Sequence, residues 1–470
     1  MNLIDDYRIF YWQQSWGRRK NQYTLMGFTD FILYPVYVAL FYFLFSARRK
    51  NYTDPVLQYY HKQSFWIKAL AVLPFTLFNT VLSPGDSFGL FYTEGVNIYH
   101  LILKDPSAHL KWIYSPGVDF DQTLLKNSLN LGYLRAENNY MVVRIVAMLS
   151  FAAFAKYLVL NLFFSMIAFS GAWRLYRFFY DQYPHLHKQL AIAILYLPTF
   201  VFWSSGILKD PLCTAAIGWI TYSLYEIFYK KKNLLTNLVI LVLFGYLLYI
   251  IKVYILISYI PFFGVYLVLK NVTLLKNRML RIAVVLGIII SSMFTFTSVT
   301  EQLASTLVNY GGEKSITKSI SIYQKAYAEQ GDAASNFSLG VEFDGSISSL
   351  IRMAPMAIVA TLYRPFLWES KKLTTLLSSF ESLAIMIFTL MVFFKTGPGN
   401  FIKAIISDPV ILYCILFALL FALFVGATTA NFGSLVRYKI PCLPFYIIAL
   451  FLIQDRTRKI KGSLVISQTA

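Results

Sequence analysis

The sequence predicts an all-α, polytopic transmembrane protein of about eleven spans, with two large non-cytoplasmic loops carrying interfacial helices. Three observations lead there. Hydrophobic residues make up 57% of the 470 residues and charged residues only 14%, where a soluble globule carries about a quarter charged. The mean hydropathy is +0.56. Apolar runs of about 18–24 residues recur along nearly the whole chain, each long enough to cross about 30 Å of hydrocarbon. Residues 1–470 therefore read as a single transmembrane domain with no soluble domain appended.

The expected spans are 26–46, 65–82, 153–174, 188–204, 210–229, 234–251, 252–270, 280–298, 375–395, 409–427 and 437–454. Basic clusters orient them. Arg48/Arg49/Lys50, Arg174/Arg177/Lys188, Lys230/Lys231/Lys232, Lys270/Lys276/Arg278/Arg281, Lys395/Lys403 and Arg456/Arg458/Lys459/Lys461 fall on alternate connections, consistent with a cytoplasmic side. The C-terminus is then cytoplasmic. The N-terminus comes out on the other side, in conflict with Arg18/Arg19/Lys20, so either the first span is a hairpin or the early count is off by one. The opening MNLIDDYRIFYWQQSWGRRK places acids before its basic cluster and does not read as a removable signal peptide.

The two long non-cytoplasmic segments are 83–152 and 299–374. The first contains the helical stretch NIYHLILKDPSAHLKWIY and ends in the amphipathic NNYMVVRIVAMLSFAAF; the second contains SSLIRMAPMAIVATLYRPFLWE. Both amphipathic stretches suit the membrane surface. Loops of this size suggest a lid over a cavity and not only connectors.

The net charge of +19 is read as the positive-inside bias plus attraction to anionic lipid, not as a nucleic-acid surface. Cys213, Cys414 and Cys442 lie in or beside apolar runs with no pairing or metal spacing, and are expected to pack. No metal constellation is evident.

Four constellations map to the non-cytoplasmic face. SPGDSFGLFYTEG at 83–95 puts Asp86 in a Pro-Gly turn, with Glu94 eight residues on. A carboxylate at the membrane rim is a candidate general base, although a turn aspartate also bonds its own backbone. PTFVFWSSGILKDPL at 198–212 starts a helix at Lys209-Asp210-Pro211. Aspartate before proline is an N-cap signature, and a lysine beside a helix N-terminus also makes an anion site. Lys252 interrupts a long apolar stretch at what reads as a tight outer hairpin, so it either snorkels to the surface or meets an anionic partner. Arg437 and Lys439, in NFGSLVRYKIPCLPF, and Arg364, in LYRPFLWE, stand at helix entrances on the face that should be poor in positive charge. They suit either interfacial anchoring or phosphate recognition.

This pattern resembles the GT-C superfamily of integral-membrane glycosyltransferases, and within it the Bacteroidetes-type bacterial members. The residues that carry the resemblance are the Gly85-Asp86 turn, Ser205 through Asp210 after a proline-containing helix, and Arg437-Tyr438-Lys439-Ile440-Pro441. It covers roughly 80–450. Two features depart from the family pattern: the acidic loop follows the second expected span, and Ser87 stands where a second adjacent acid is common. The resemblance implies an inner-membrane, cell-envelope enzyme of polysaccharide biosynthesis. It would transfer a sugar from a polyprenyl-phosphate donor to a glycan, lipid or protein acceptor on the non-cytoplasmic side, with no metal cofactor. Asp86, Asp210 and Glu94 would be the catalytic acids, and Arg437, Lys439, Lys252, Lys209 and Arg364 the phosphate-binding set. An O-antigen or exopolysaccharide polymerase and a transporter of a lipid-linked or anionic solute are the competing readings.

Overall fold

The computed structural model describes residues 27–82, 85–115, 134, 136–270, 279, 287, 336–340, 347–370, 372–429 and 431–469. Among these residues all extended regular structure is helical, with one isolated antiparallel bridge between Asn336 and Asn431. The expected span 280–298 and the cluster Arg18/Arg19/Lys20 lie outside the described residues, Gly287 apart.

Six described helices are long and apolar enough to cross a membrane: Phe28–Arg49, Pro55–Leu82, Tyr157–Tyr180, Leu234–Lys270, Thr375–Thr396 and Pro409–Thr428. A seventh candidate is the pair Phe432–Tyr438 and Leu443–Arg458, bent by 60°. Their outward residues are apolar: Phe31, Val36, Leu40 and Phe43 on the first helix and Leu235, Val239 and Val242 on the fourth are all exposed. Apolar surface on this scale requires lipid and not water. The chain is a multi-pass membrane protein.

The helices at Phe28–Arg49, Pro55–Leu77, Tyr157–Tyr180, Leu373–Thr396 and Pro409–Thr428 meet expected spans. Two other expected spans, 234–251 and 252–270, run together as Leu234–Lys270, whose helical dihedrals break only at Lys252 (φ −152°, ψ 73°). At 188–204 there are two short helices, His187–Ile194 and Pro198–Trp203, because the residue before Pro198 is driven out of the α region. The segment 210–229 holds Lys209–Tyr225 followed by a π turn, Glu226–Lys230.

We number the helices α1 (Phe28–Arg49), α2 (Pro55–Leu77), α3 (Thr93–Lys104), α4 (Glu137–Ala153), α5 (Tyr157–Tyr180), α6 (His187–Ile194), α7 (Pro198–Trp203), α8 (Lys209–Tyr225), α9 (Leu234–Lys270), α10 (Ile347–Tyr363), α11 (Leu373–Thr396), α12 (Pro398–Ser407), α13 (Pro409–Thr428), α14 (Phe432–Tyr438) and α15 (Leu443–Thr469). Three Asp-Pro pairs start helices. Asp54, Asp105 and Asp408 each accept a backbone N–H from the first turn, from Val56 (2.8 Å), Ala108 (3.1 Å) and Val410 (2.9 Å).

The described residues fall into two compact units, Met1–Arg174 with Val201–Trp219, and Leu175–Phe200 with Ile220–Ala470. In the first, small residues let helices approach closely. A Cβ on Gly171 of α5 would overlap the backbone of Ala215 in α8, and one on Gly218 would overlap the backbone of Gly171. α3 and α4 pack the same way, Gly95 leaving room for Val146. An aromatic cluster of Phe45, Phe65, Phe169 and Trp173 encloses the buried His61.

The second unit packs α13 against α9, α10 and α15. Tyr259 and Phe263 of α9, Tyr413 and Phe417 of α13, and Phe445 of α15 form a buried ring cluster; Phe417 and Phe445 stand 4.9 Å apart, near edge-on. Gly426 of α13 meets the backbone of Ala357 in α10, and Thr361 Oγ1 donates to the Ala422 carbonyl at 2.7 Å. Beyond its cap, Asp408 accepts Arg456 Nη1 at 3.0 Å and the Tyr183 hydroxyl at 3.3 Å.

Candidate functional site

In the first unit, the first half of α5 carries a polar stripe among apolar residues: Tyr157, Asn161 and Ser165, four residues apart and so on one face. All three are buried. Each holds a different segment. The Tyr157 hydroxyl pairs with Ser87 Oγ at 2.7 Å. Asn161 Nδ2 donates to Thr76 Oγ1 at 2.9 Å, and its Oδ1 accepts the Ile207 N–H at 2.9 Å. Ser165 Oγ donates to the Lys68 carbonyl at 2.8 Å.

Lys68 is the second centre of this network. It sits inside the apolar helix α2 and is 3% exposed. Its Nζ donates to the Ser204 carbonyl (2.6 Å), Ser204 Oγ (2.8 Å), Ser205 Oγ (2.9 Å) and the Val201 carbonyl (3.3 Å). The last carbonyls of a helix have no intrahelical donor and carry the negative end of its dipole, so an ammonium suits that place. Gly206 completes the turn. A Cβ there would overlap the Phe75 ring and lie 2.8 Å from Asn161 Oδ1.

Thus one face of α5 holds both turns in which the sequence places catalytic acids. Asp86 is exposed, directly before Ser87, at the head of the π turn Ser87–Tyr92. Ser83 and Pro84 of that motif lie outside the described residues. Glu94 is buried in the first turn of α3. α8 begins at Lys209, so Asp210 lies inside the first turn and not ahead of it as an N-cap; it is 2% exposed. An acid there is still favoured by the helix dipole. Lys209 is half-buried.

In the second unit, the segment Arg437-Tyr438-Lys439 draws the remaining basic residues together. Lys252 stands at the break in α9 with its Nζ 4.8 Å from the Tyr438 ring centre, a cation–π contact. Lys439 is fully buried between α14 and α15, where its Nζ donates to the Arg364 carbonyl (3.1 Å) and Ser382 Oγ (2.8 Å). Arg364 is held by its neighbours. Its guanidinium forks onto Glu369, bonds the Ser338 carbonyl at 3.1 Å, and lies over the Phe337 and Phe432 rings. Arg437 is half-buried at the end of α14.

Sequence reasoning passed over Lys68 in the first unit, and read Glu381 as an acid inside an apolar run, with no obvious relay and no site role. Glu381, on α11, accepts the Thr199 N–H at 2.9 Å and the Thr199 hydroxyl, and attracts Lys439. Lys68 and Glu381 both lie within expected spans, and a charged residue there is itself a flag. The stripe on α5 was legible too, as Tyr, Asn and Ser at a spacing of four.

Among the described residues no group of three or more His, Cys, Asp or Glu side chains is placed to hold a metal ion. What the arrangement offers chemically is buried carboxylates and a fixed helix start in one unit, and clustered cations at a broken helix in the other. Compared with family models, curated proteins and solved structures, the chain matches none.

Proposed function

We propose that this chain is an integral-membrane glycosyltransferase of the GT-C type, with about eleven spans, using a polyprenyl-phosphate sugar as donor. The observation that carries the reading is the buried hold on residues 204–208: Lys68 and Asn161 fix the turn that leads into Lys209 and Asp210. A catalytic group held by packed neighbours meets the need for a preorganised site.

In this reading an acceptor hydroxyl attacks the anomeric carbon of the donor sugar. The bond from that carbon to the phosphate oxygen breaks, and polyprenyl phosphate leaves with the electron pair. Asp86 takes the acceptor's proton, with Asp210 or Glu94 as the other carboxylates of the set. Such base assistance contributes about 10²–10⁴-fold. Arg437, beside Lys439 and Lys252, stabilises the leaving phosphate; Lys209, in the other unit, is the alternative cation of the set. Arg364, already engaged by Glu369, orders this region through its carbonyl contact with Lys439.

The test is transfer from undecaprenyl-phosphate hexoses by the protein in lipid. Asp86→Asn lowers the rate at unchanged donor affinity; a native rate removes Asp86 as the base. Arg437→Ala weakens donor binding; unchanged affinity removes it from the phosphate site. An O-antigen or exopolysaccharide polymerase would draw on the same groups, with lipid-linked oligosaccharide as donor.

One set of observations favours a second reading, a transporter of an anionic or lipid-linked solute. Lys68 is buried and Glu381 half-buried within apolar helices, and the pair α14–α15 is a helix broken by 60°. Broken helices and buried charges mark transport sites. Uptake of an anionic lipid-linked sugar into sealed vesicles, with no transfer product, would establish it.

A further inference from the structure

We infer that Lys68 and Asn161 are positioning residues, which hold the 204–208 turn so that Lys209 and Asp210 keep one orientation at the start of α8. The inference deepens the glycosyl-transfer reading and rests on it for the chemistry, not for the geometry.

The physical case begins with the shortness of α7. The last carbonyls of a six-residue helix lack intrahelical donors, and Val201, Trp203 and Ser204 are buried. Lys68 supplies one donor group to two of the oxygens and to both serine hydroxyls of the turn. Every oxygen it meets is neutral, so the ammonium answers backbone dipoles and not a carboxylate. A neutral side chain would remove this donor from the Ser204 carbonyl and both hydroxyls, while the Val201 carbonyl keeps Ser205 Oγ at 2.6 Å.

Asn161 acts one step further along. It is fully buried, and it uses its carbonyl for the Ile207 N–H and its amide for Thr76. Ile207 is two residues before Lys209, so fixing that N–H fixes the path into α8. Gly206 lies between the two holds with no room for a Cβ. The turn is therefore pinned at 204, 205 and 207, and α8 starts two residues later. The same face of α5 pins Ser87, next to Asp86, through Tyr157. Lys68 and Asn161 do not themselves touch substrate in this scheme.

The experiment uses full-length protein in lipid nanodiscs, as wild type, Lys68→Met, Lys68→Arg and Asn161→Leu. Hydrogen exchange is followed in peptides over 204–210, with a peptide from α13 as a folding control. Lys68→Met and Asn161→Leu raise exchange over 204–210 by roughly ten- to a hundredfold, the factor that losing one or two buried hydrogen bonds produces in a local opening equilibrium, while the α13 peptide keeps its protection. Lys68→Arg restores much of the protection. If Lys68→Met does not fold, Asn161→Leu carries the test. Native protection of 204–210 in the folded variants overturns the positioning role.

Transfer from undecaprenyl-phosphate glucose and mannose is measured on the same samples. A fall in kcat at unchanged KM, recovered in Lys68→Arg, supports the link to chemistry. A native kcat in a variant whose turn has loosened overturns that link. If the wild type transfers from neither donor, the glycosyl-transfer reading fails, and the exchange measurement alone decides the positioning role.

Discussion

The contact of Gly171 with Ala215 and Gly218 makes a quantitative prediction through the substitution Gly171→Ala. The added Cβ would fall within contact range of Ala215 Cα, its carbonyl carbon and its oxygen. These are backbone atoms, so no side-chain rotation relieves the overlap. The two helices must part by about 1 Å, and overpacking of this kind costs about 1–3 kcal/mol, with backbone clashes at the upper end. Alanine recovers about 0.5–1 kcal/mol of helix propensity. The net expectation is a loss of about 2 kcal/mol. Gly245→Ala is the matched control, because Gly245 is also helical but a Cβ there meets nothing within 4 Å. It keeps the propensity gain and is stabilised by about 0.5–1 kcal/mol. The two variants should therefore differ by about 3 kcal/mol. Denaturant titration in micelles, followed by tryptophan fluorescence and far-ultraviolet circular dichroism, reads the difference. Equal stability of the two variants would refute the close packing of α5 on α8.

Three further outcomes follow from single contacts. Asp408→Ala removes the cap of α13 together with the partner of Arg456, and lowers stability by about 2–3 kcal/mol, whereas Asp408→Asn keeps an acceptor for the Val410 N–H and loses about half as much; thermal unfolding separates them. Glu381→Ala leaves the Thr199 N–H and hydroxyl without this acceptor, at about 1–3 kcal/mol, and Glu381→Gln recovers part of that; an equal loss in both would show that the charge, not the hydrogen bonds, matters. Arg364→Lys keeps a charge but loses the planar fork onto Glu369 and the stack on Phe337, costing about 1–2 kcal/mol; native stability would show that the fork contributes nothing.

Much of the fold could be read from one dimension because its signals are one-dimensional. Burial in hydrocarbon demands long apolar runs, and α1, α2, α5, α11 and α13 lie where those runs are. The Asp-Pro starts of α2 and α13 are equally local, since proline's fixed dihedral and the aspartate side chain act within one turn. The same rule placed Asp210 one step too early, ahead of α8, where the structure has it inside the first turn. Helix starts depend on how the preceding residues are held, and here Lys68 and Asn161, about 140 and 46 residues away in the chain, hold them. Periodicity does not carry contacts of that range.

For the candidate site the division is sharper. Residue type and local charge bias single out Asp86, Asp210, Arg437, Lys439 and Lys252 from the sequence, because charges beside apolar runs are rare and costly. Which of them share a neighbourhood is a property of packing. Only the tertiary structure brings Lys252 over the Tyr438 ring, ties the Lys439 ammonium to the Arg364 carbonyl, and encloses the guanidinium of Arg364 with Glu369. Only it turns Tyr157, Asn161 and Ser165 from a spacing of four into a set of holds on three different segments. The sequence by itself determined that the chain lives in a membrane, since hydropathy is a sum over residues. The tertiary structure decided what each buried polar group does there, because in a medium without water such a group must find its partner in another part of the chain.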